Sequence, residues 1–157
     1  MEQVERVEFF LPDPDATAKL ARLYADVVRP GDTLLLEGSI GAGKTHFARS
    51  LIQAWLEERG AWDEVPSPTY TLVQTYENGD QEIWHADLYR LTAFDEVLEL
   101  GLGEAFESSI VLVEWPDRLG ASLPVDALRI NFVVEQDGRR VTVSGPRRLT
   151  KILDQVR

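Results

Sequence analysis

The stretch "LLLEGSIGAGKTHFARSL", Leu34 to Leu51, constrains the fold more than any other part of the chain. Three leucines run into a glycine-rich loop. The loop then runs into a segment whose apolar residues, Phe47, Ala48, Leu51, Ile52 and Trp55, recur at helical spacing. Gly38, Gly43, Lys44 and Thr45 fit G-x-x-x-x-G-K-[ST]. Such a loop holds phosphate because its glycines let backbone N–H groups converge on the oxygens and the following helix points its positive end there. Strand before and helix after are the context this requires. "TLLLEG" is continuously apolar, as a strand inside a sheet covered on both faces should be.

The rest of the chain extends this core. "VERVEFFLP" has strand character. Asp13 followed by Pro14 reads as an N-cap and first helical residue, and Leu20, Leu23, Tyr24, Val27 and Val28 form a core-facing stripe up to the stop at Pro30-Gly31. Asn78-Gly79 and Asp137-Gly138 each sit between β-rich runs, so two hairpins are expected. "AFDEVLELGLGEAF" reads as short helices broken at Gly101, "SIVLVEWP" as a buried strand closed by Pro116, and "RRLTKILDQV" as a short amphipathic helix. The expected fold class is α/β: a P-loop NTPase-like three-layer fold whose mixed central sheet carries added antiparallel β-hairpins. At 157 residues, positions 1–157 are expected to form a single P-loop domain.

Charge and composition narrow the partners. Sixteen basic against 27 acidic residues give a net charge of −11, and "GPRRLTK" is the densest basic cluster. Tight binding to bare nucleic acid needs a basic footprint, so contact with nucleic acid is expected to be indirect and a basic protein partner is more in keeping. Without cysteine there are no disulfide partners and no thiolate metal site. No run is apolar and long enough to span a bilayer, and the acidic start is no signal peptide, so a cytoplasmic location is expected.

The expected nucleotide-binding segment is Gly38, Ser39, Ile40, Gly41, Ala42, Gly43, Lys44 and Thr45, with His46 following in the first helical turn. Lys44 would reach the β- and γ-phosphates and the Thr45 hydroxyl would ligate Mg²⁺. "IVLVE" has the form of a strand that delivers a carboxylate, Glu114, to a P-loop metal; a glutamate simply leaving a core strand has the same look. Asp87 in "HADLYR" ends a β run, where α/β sites gather, and can position a water or cap the next turn; the pattern does not choose. Thr69 in "PSPTY" is stiffened by Pro66 and Pro68 and suits either a γ-phosphate-sensing loop or a rigid entry to a strand. His46 and His85 form no metal site together; His85 shares a strand face with Asp87 and either supports that carboxylate or packs. Trp115 either covers the site, meets a partner or packs in the core.

In their order, "LEGSIGAGKTHFAR", "VPSPTYTLVQTY", "HADLYRL", "EVLELGL" and "VLVEWPDRL" through to Pro124 resemble the TsaE (YjeE) family. That family supplies the small ATPase of the bacterial pathway that places threonylcarbamoyl on adenosine 37 of certain tRNAs. The resemblance covers about Gly31 to Pro124. It implies ATP and Mg²⁺ as cofactors, a low intrinsic hydrolysis rate, and work with TsaB and TsaD as a reset or motor subunit. It implies Lys44, Asp87 and Glu114 as catalytic, Thr45 and Glu114 at the metal, Thr69 in a switch-like loop, and Thr17 and Arg139 as further nucleotide contacts. Ser39-Ile40, His46 and Ala86 depart from common family choices at variable positions. Outside that resemblance, a small-molecule kinase of the P-loop class is the rival, as is a module that uses ATP only to fold or dock.

Overall fold

The computed structural model describes residues 4–60, 65, 72–91 and 101–156. Strand β1 (Val4–Leu11) leads to helix α1 (Pro14–Ala25), strand β2 (Thr33–Gly38) and helix α2 (Lys44–Glu58). Strands β3 (Val73–Asn78) and β4 (Gln81–Asp87) form the first hairpin. Helix α3 (Leu102–Ser108), strand β5 (Ile110–Glu114) and a 3-10 segment (Pro116–Ser122) follow. Strands β6 (Leu128–Glu135) and β7 (Gly138–Pro146) form the second hairpin, and helix α4 (Arg147–Thr150) with a 3-10 turn (Lys151–Gln155) ends the chain.

The strands make one sheet in the order β1-β7-β6-β2-β5-β4-β3. Strand β2 lies between β5 and β6 and pairs parallel to both, and β4 adds parallel to β5. The two hairpins and β1 add the antiparallel pairs, so the sheet is mixed, as expected. Alternation along β2 explains the three layers. Leu34 and Leu36 enter a core beneath α1 and α2 with Tyr24, Phe47, Leu51 and Trp55. Leu35 points the other way, into a smaller cluster with Leu102 and Ala105 of α3, Val111, Val113 and Leu119. Both faces of β2 are therefore dry, and its apolar run needs no polar alternate. No described helix is long and apolar enough to cross a membrane.

Local signals set the helices. Asp13 caps α1 by accepting a hydrogen bond from the Ala16 N–H at 2.8 Å, with Pro14 in the first turn. That helix ends at Ala25, earlier than its apolar stripe suggests. The Asp26 N–H closes back on the Leu23 carbonyl, and the Val27 and Val28 N–H groups close on that of Tyr24, so a tightened turn carries the stripe onward. The C-terminal "RRLTKILDQV" forms one α turn followed by 3-10 geometry, not a continuous helix. Arg147 pairs with Glu5 and Arg148 with Asp32, which fastens this tail to β1 and to the turn before β2.

Both hairpins form, each with its turn displaced one residue from the expected dipeptide. Asn78 pairs with Gln81, so Gly79-Asp80 is the first loop; only Gly79 has positive φ (64°), the pattern of a II′ turn. Glu135 pairs with Gly138, so Gln136-Asp137 is the second loop and Gly138 opens β7. A Cβ on Gly138 would stand 2.5 Å from the Leu11 carbonyl oxygen and 2.4 Å from the Phe10 ring. This glycine serves the close approach of β1 instead of the turn.

Two tests arise from these elements. Gly38 ends β2 at φ 142°, and a Cβ there would lie 2.5 Å from the Phe132 carbonyl oxygen on β6. Gly38→Ala should therefore destabilise the fold by roughly 2–4 kcal/mol in chemical denaturation, from backbone strain plus a clash with a fixed main chain. The second concerns Glu58 at the end of α2, which hydrogen-bonds Asp26 at the end of α1. That bond, then partial burial, then the charge of Asp26 push the Glu58 carboxyl up to about 7. The folded state thus keeps a proton that the unfolded chain releases near 4.5. The contribution is complete below about pH 4.5 and is lost as pH rises through about 7. Glu58 is well exposed, so screening keeps the effect small. Glu58→Gln should flatten the decline in melting temperature across that interval.

Candidate functional site

The chain leaves β2 at Gly38 and reaches α2 through a loop whose glycines Gly41 (φ 80°) and Gly43 (φ 111°) take positive φ. No side chain caps α2. Its first backbone N–H groups, which have no carbonyl partner in the helix, therefore face the loop together with the positive end of the helix dipole. This is an anion cradle built from main chain alone. Ser39 and Ile40 form its exposed crest, and Ala42 is buried beneath it.

The second hairpin holds this loop from behind. Arg139 donates from Nε to the Ala42 carbonyl at 2.9 Å and from Nη2 to the Gly41 carbonyl at 3.1 Å. A cleft of about 300 Å³ opens beside it, bordered by Pro14, Thr17, Gly41, Gly43, His46 and Arg139. The more distant candidates Thr17 and Arg139 thus meet the loop in one depression. His46 donates from Nε2 to the Pro14 carbonyl at 3.0 Å and joins the first turn of α2 to the start of α1.

On the opposite side of the loop stand the acidic groups. Strands β4 and β5 run parallel with Asp87 opposite Glu114, so both carboxylates arrive at the same end of the sheet. Ile83, His85 and Asp87 alternate onto the face beneath α2, as do Ile110, Leu112 and Glu114. Lys44, Asp87 and Glu114 are only 4%, 5% and 1% exposed. Charges this dry must be partnered. The Thr45 hydroxyl donates to Glu114 Oε1 at 2.7 Å, and His85 Nε2 lies 2.7 Å from Glu114 Oε2. Asp87 Oδ1 accepts from the Tyr89 N–H at 3.0 Å, so the turn-capping reading of Asp87 holds alongside its place at the site.

Lys44 donates to the Gly38 carbonyl at 2.5 Å, and its Nζ stands 3.4 Å from the centre of the Trp115 ring. Burial pushes the Lys44 amine below the ordinary lysine value, while Glu114, Asp87 and Asp117 pull it back up. Trp115 takes a left-handed backbone (φ 60°) immediately after β5. Tyr89 packs on it at 4.9 Å. Trp115 meets Lys44 with its ring and also packs against the smaller core cluster, so the covering and packing readings hold together.

Thr45 and Glu114 present two hard oxygen donors beside the anion cradle, with Asp87 adjacent. Among the described residues no group of three or more His, Cys, Asp or Glu could form an all-protein metal cage. A donor set this sparse suits Mg²⁺, which keeps several waters and takes further oxygens from phosphate. Sequence reasoning placed His85 beside Asp87; the structure adds the Glu114 bond. It missed Tyr89 and Asp117, whose only signal was their nearness to Asp87 and Trp115. Thr69, with Pro66 and Pro68, lies outside the described residues.

The comparisons agree with this construction. The family model for "Threonylcarbamoyl adenosine biosynthesis protein TsaE" matches residues 11–142. The Rickettsia felis tRNA threonylcarbamoyladenosine biosynthesis protein TsaE is 37% identical over 83% of this chain and 75% of its own length. The Bacillus subtilis protein of the same name is 39% identical over 75% of this chain and 72% of its own length. The crystal structure of Bacillus subtilis YdiB superposes with a TM-score of 0.74 at 28% identity, covering 99% of this chain and 96% of that one. With a glycine-rich loop between β2 and α2 and these matches along most of its length, the chain belongs to the TsaE family of tRNA threonylcarbamoyladenosine biosynthesis.

Proposed function

We propose that this chain is a Mg²⁺-dependent ATPase subunit acting in the cytoplasm with TsaB and TsaD, in which hydrolysis resets the complex that modifies adenosine 37. The observation that carries the reading is the 2.7 Å bond from Thr45 to Glu114. It joins the first residues of the P-loop helix to the carboxylate at the end of β5, the pairing that metal-assisted phosphoryl transfer requires.

Each residue has a task in that chemistry. The N–H groups of Gly41, Gly43, Lys44 and Thr45 bind phosphate oxygens. Lys44 lies at the mouth of the loop and places a positive charge on the β- and γ-phosphates. Thr45 and Glu114 would hold Mg²⁺, which would supply charge neutralisation at the phosphoryl group. Asp87, paired in register with Glu114, orients the attacking water or accepts its proton. The cleft at Thr17, His46 and Arg139 receives the base and ribose, with adenine as the expected base. Contact with tRNA falls mainly to TsaB and TsaD, in keeping with a net charge of −11 here.

ATP turnover measured alone and with both partner proteins tests this reading; stimulation by the pair is expected. Lys44→Ala should weaken ATP binding by about 1.5–3 kcal/mol in calorimetry, the worth of a charge-assisted contact. Glu114→Ala and Asp87→Ala should still bind ATP but hydrolyse it on the order of a hundredfold more slowly in the complex. Parental turnover in either variant would remove that residue from the mechanism, and undiminished ATP affinity in Lys44→Ala would overturn the phosphate-loop reading.

A further inference from the structure

We propose that His85 is a positioning residue that fixes the Glu114 carboxylate, turning one oxygen to Thr45 and the metal while it holds the other. The inference rests on the reading of Thr45 and Glu114 as Mg²⁺ ligands.

His85 is fully buried on the face beneath α2, among the apolar residues Ile83, Ile110 and Leu112. Its ring reaches Glu114 from one step back along β4, since His85 pairs with Leu112 and Asp87 with Glu114. An ionised carboxylate has only lone pairs to offer, so the 2.7 Å contact requires the proton on Nε2. Its other ring nitrogen, Nδ1, is buried with no partner among the described residues. A site selected for packing alone would be better filled by leucine, which leaves no nitrogen unpaired.

What the imidazole supplies is a second anchor. Glu114 accepts from Thr45 at Oε1 and from His85 at Oε2, both at 2.7 Å. Two bonds to two different oxygens stop rotation of the carboxylate plane. With Thr45 alone, Glu114 could swivel about that single bond, most of all once the Thr45 hydroxyl turns to a metal. Partners that orient a ligating group in this way commonly change metal affinity or activity by about 10–100-fold when removed.

The experiment is a calorimetric titration of ATP binding at a series of Mg²⁺ concentrations, with thermal unfolding in parallel. His85→Leu keeps bulk and removes the donor; His85→Gln keeps a donor that reaches Glu114. His85→Leu should raise the Mg²⁺ concentration at half-effect by about tenfold or more, with metal-free ATP binding unchanged. His85→Gln should stay near the parental midpoint even if both variants melt earlier. Should the leucine variant not fold, His85→Asn, whose amide falls short of Glu114, takes its place with the same expectation. A parental midpoint in a folded His85→Leu or His85→Asn variant overturns the inference alone. ATP binding that ignores Mg²⁺ in the parental protein overturns the metal reading and this inference with it.

Discussion

Three charged side chains, Lys44, Asp87 and Glu114, are held almost out of water at one end of the central sheet. Taking such groups from water costs several kcal/mol each unless they are partnered. The surrounding architecture meets that demand. Parallel pairing of β4 with β5 and of β5 with β2 brings Asp87, Glu114 and the exit of β2 to a common edge. Helix α2 then lays Thr45 against Glu114 and Lys44 against the Gly38 carbonyl. A slip of one residue in β5 would turn Glu114 into the opposite layer among Leu35 and Val113 and leave His85 and Thr45 unpaired. Ile110 to Val113 are apolar and buried on both faces, so the carboxylate that ends β5, with its partners Thr45 and His85, is what marks the register.

The antiparallel additions serve the same end from the other side. Strand β7 carries Arg139, whose guanidinium fork binds the carbonyls of Gly41 and Ala42. With the Ala42 carbonyl held by Arg139, the N–H of the same trans peptide, on Gly43, faces the other way, towards where an anion would lie. Hairpin β6–β7 is itself fixed by β1, which approaches Gly138 too closely for any side chain there. A rigid chain of contacts thus runs from the N-terminal strand to the crest of the phosphate loop. On that side the parallel core is extended by two antiparallel strands, β7 and β1.

The glycine-rich loop, β2 and α2 were legible because each is a local pattern: glycine spacing, an apolar run and a helical stripe. The existence of both hairpins was legible for the same reason. Their turns were each misplaced by one residue: Gly79 is a turn residue but opens its loop, while Gly138 answers a contact with β1 more than a hundred positions away in sequence. The bond between His85 and Glu114 could not be read at all. It depends on the parallel register of β4 and β5, and nothing in "HADLYR" or "IVLVE" alone states that register. Likewise the place of Trp115 over Lys44 depends on a left-handed backbone that a tryptophan rarely adopts.

That tryptophan bears on how the lysine works. Lys44 is held by a carbonyl and by an aromatic face, and neither partner carries a net charge. The ammonium is thereby kept at the mouth of the loop without being neutralised by Glu114 or Asp87, although both lie near enough to pull on its proton affinity. A direct ion pair with either carboxylate would have to be broken before phosphate could bind. A cation–π contact of about 0.5–2 kcal/mol is far easier to exchange for a phosphate oxygen. The left-handed turn at Trp115 and its stacking on Tyr89 set the ring in this place. Strain of that kind persists only where the surroundings enforce it. Here the two elements that enforce it, the end of β5 and the turn after Asp87, are the same two that deliver the carboxylates. Cation and anions are therefore set by one piece of backbone geometry, which keeps Lys44 close to the carboxylates while its own contacts go to the Gly38 carbonyl and the Trp115 ring.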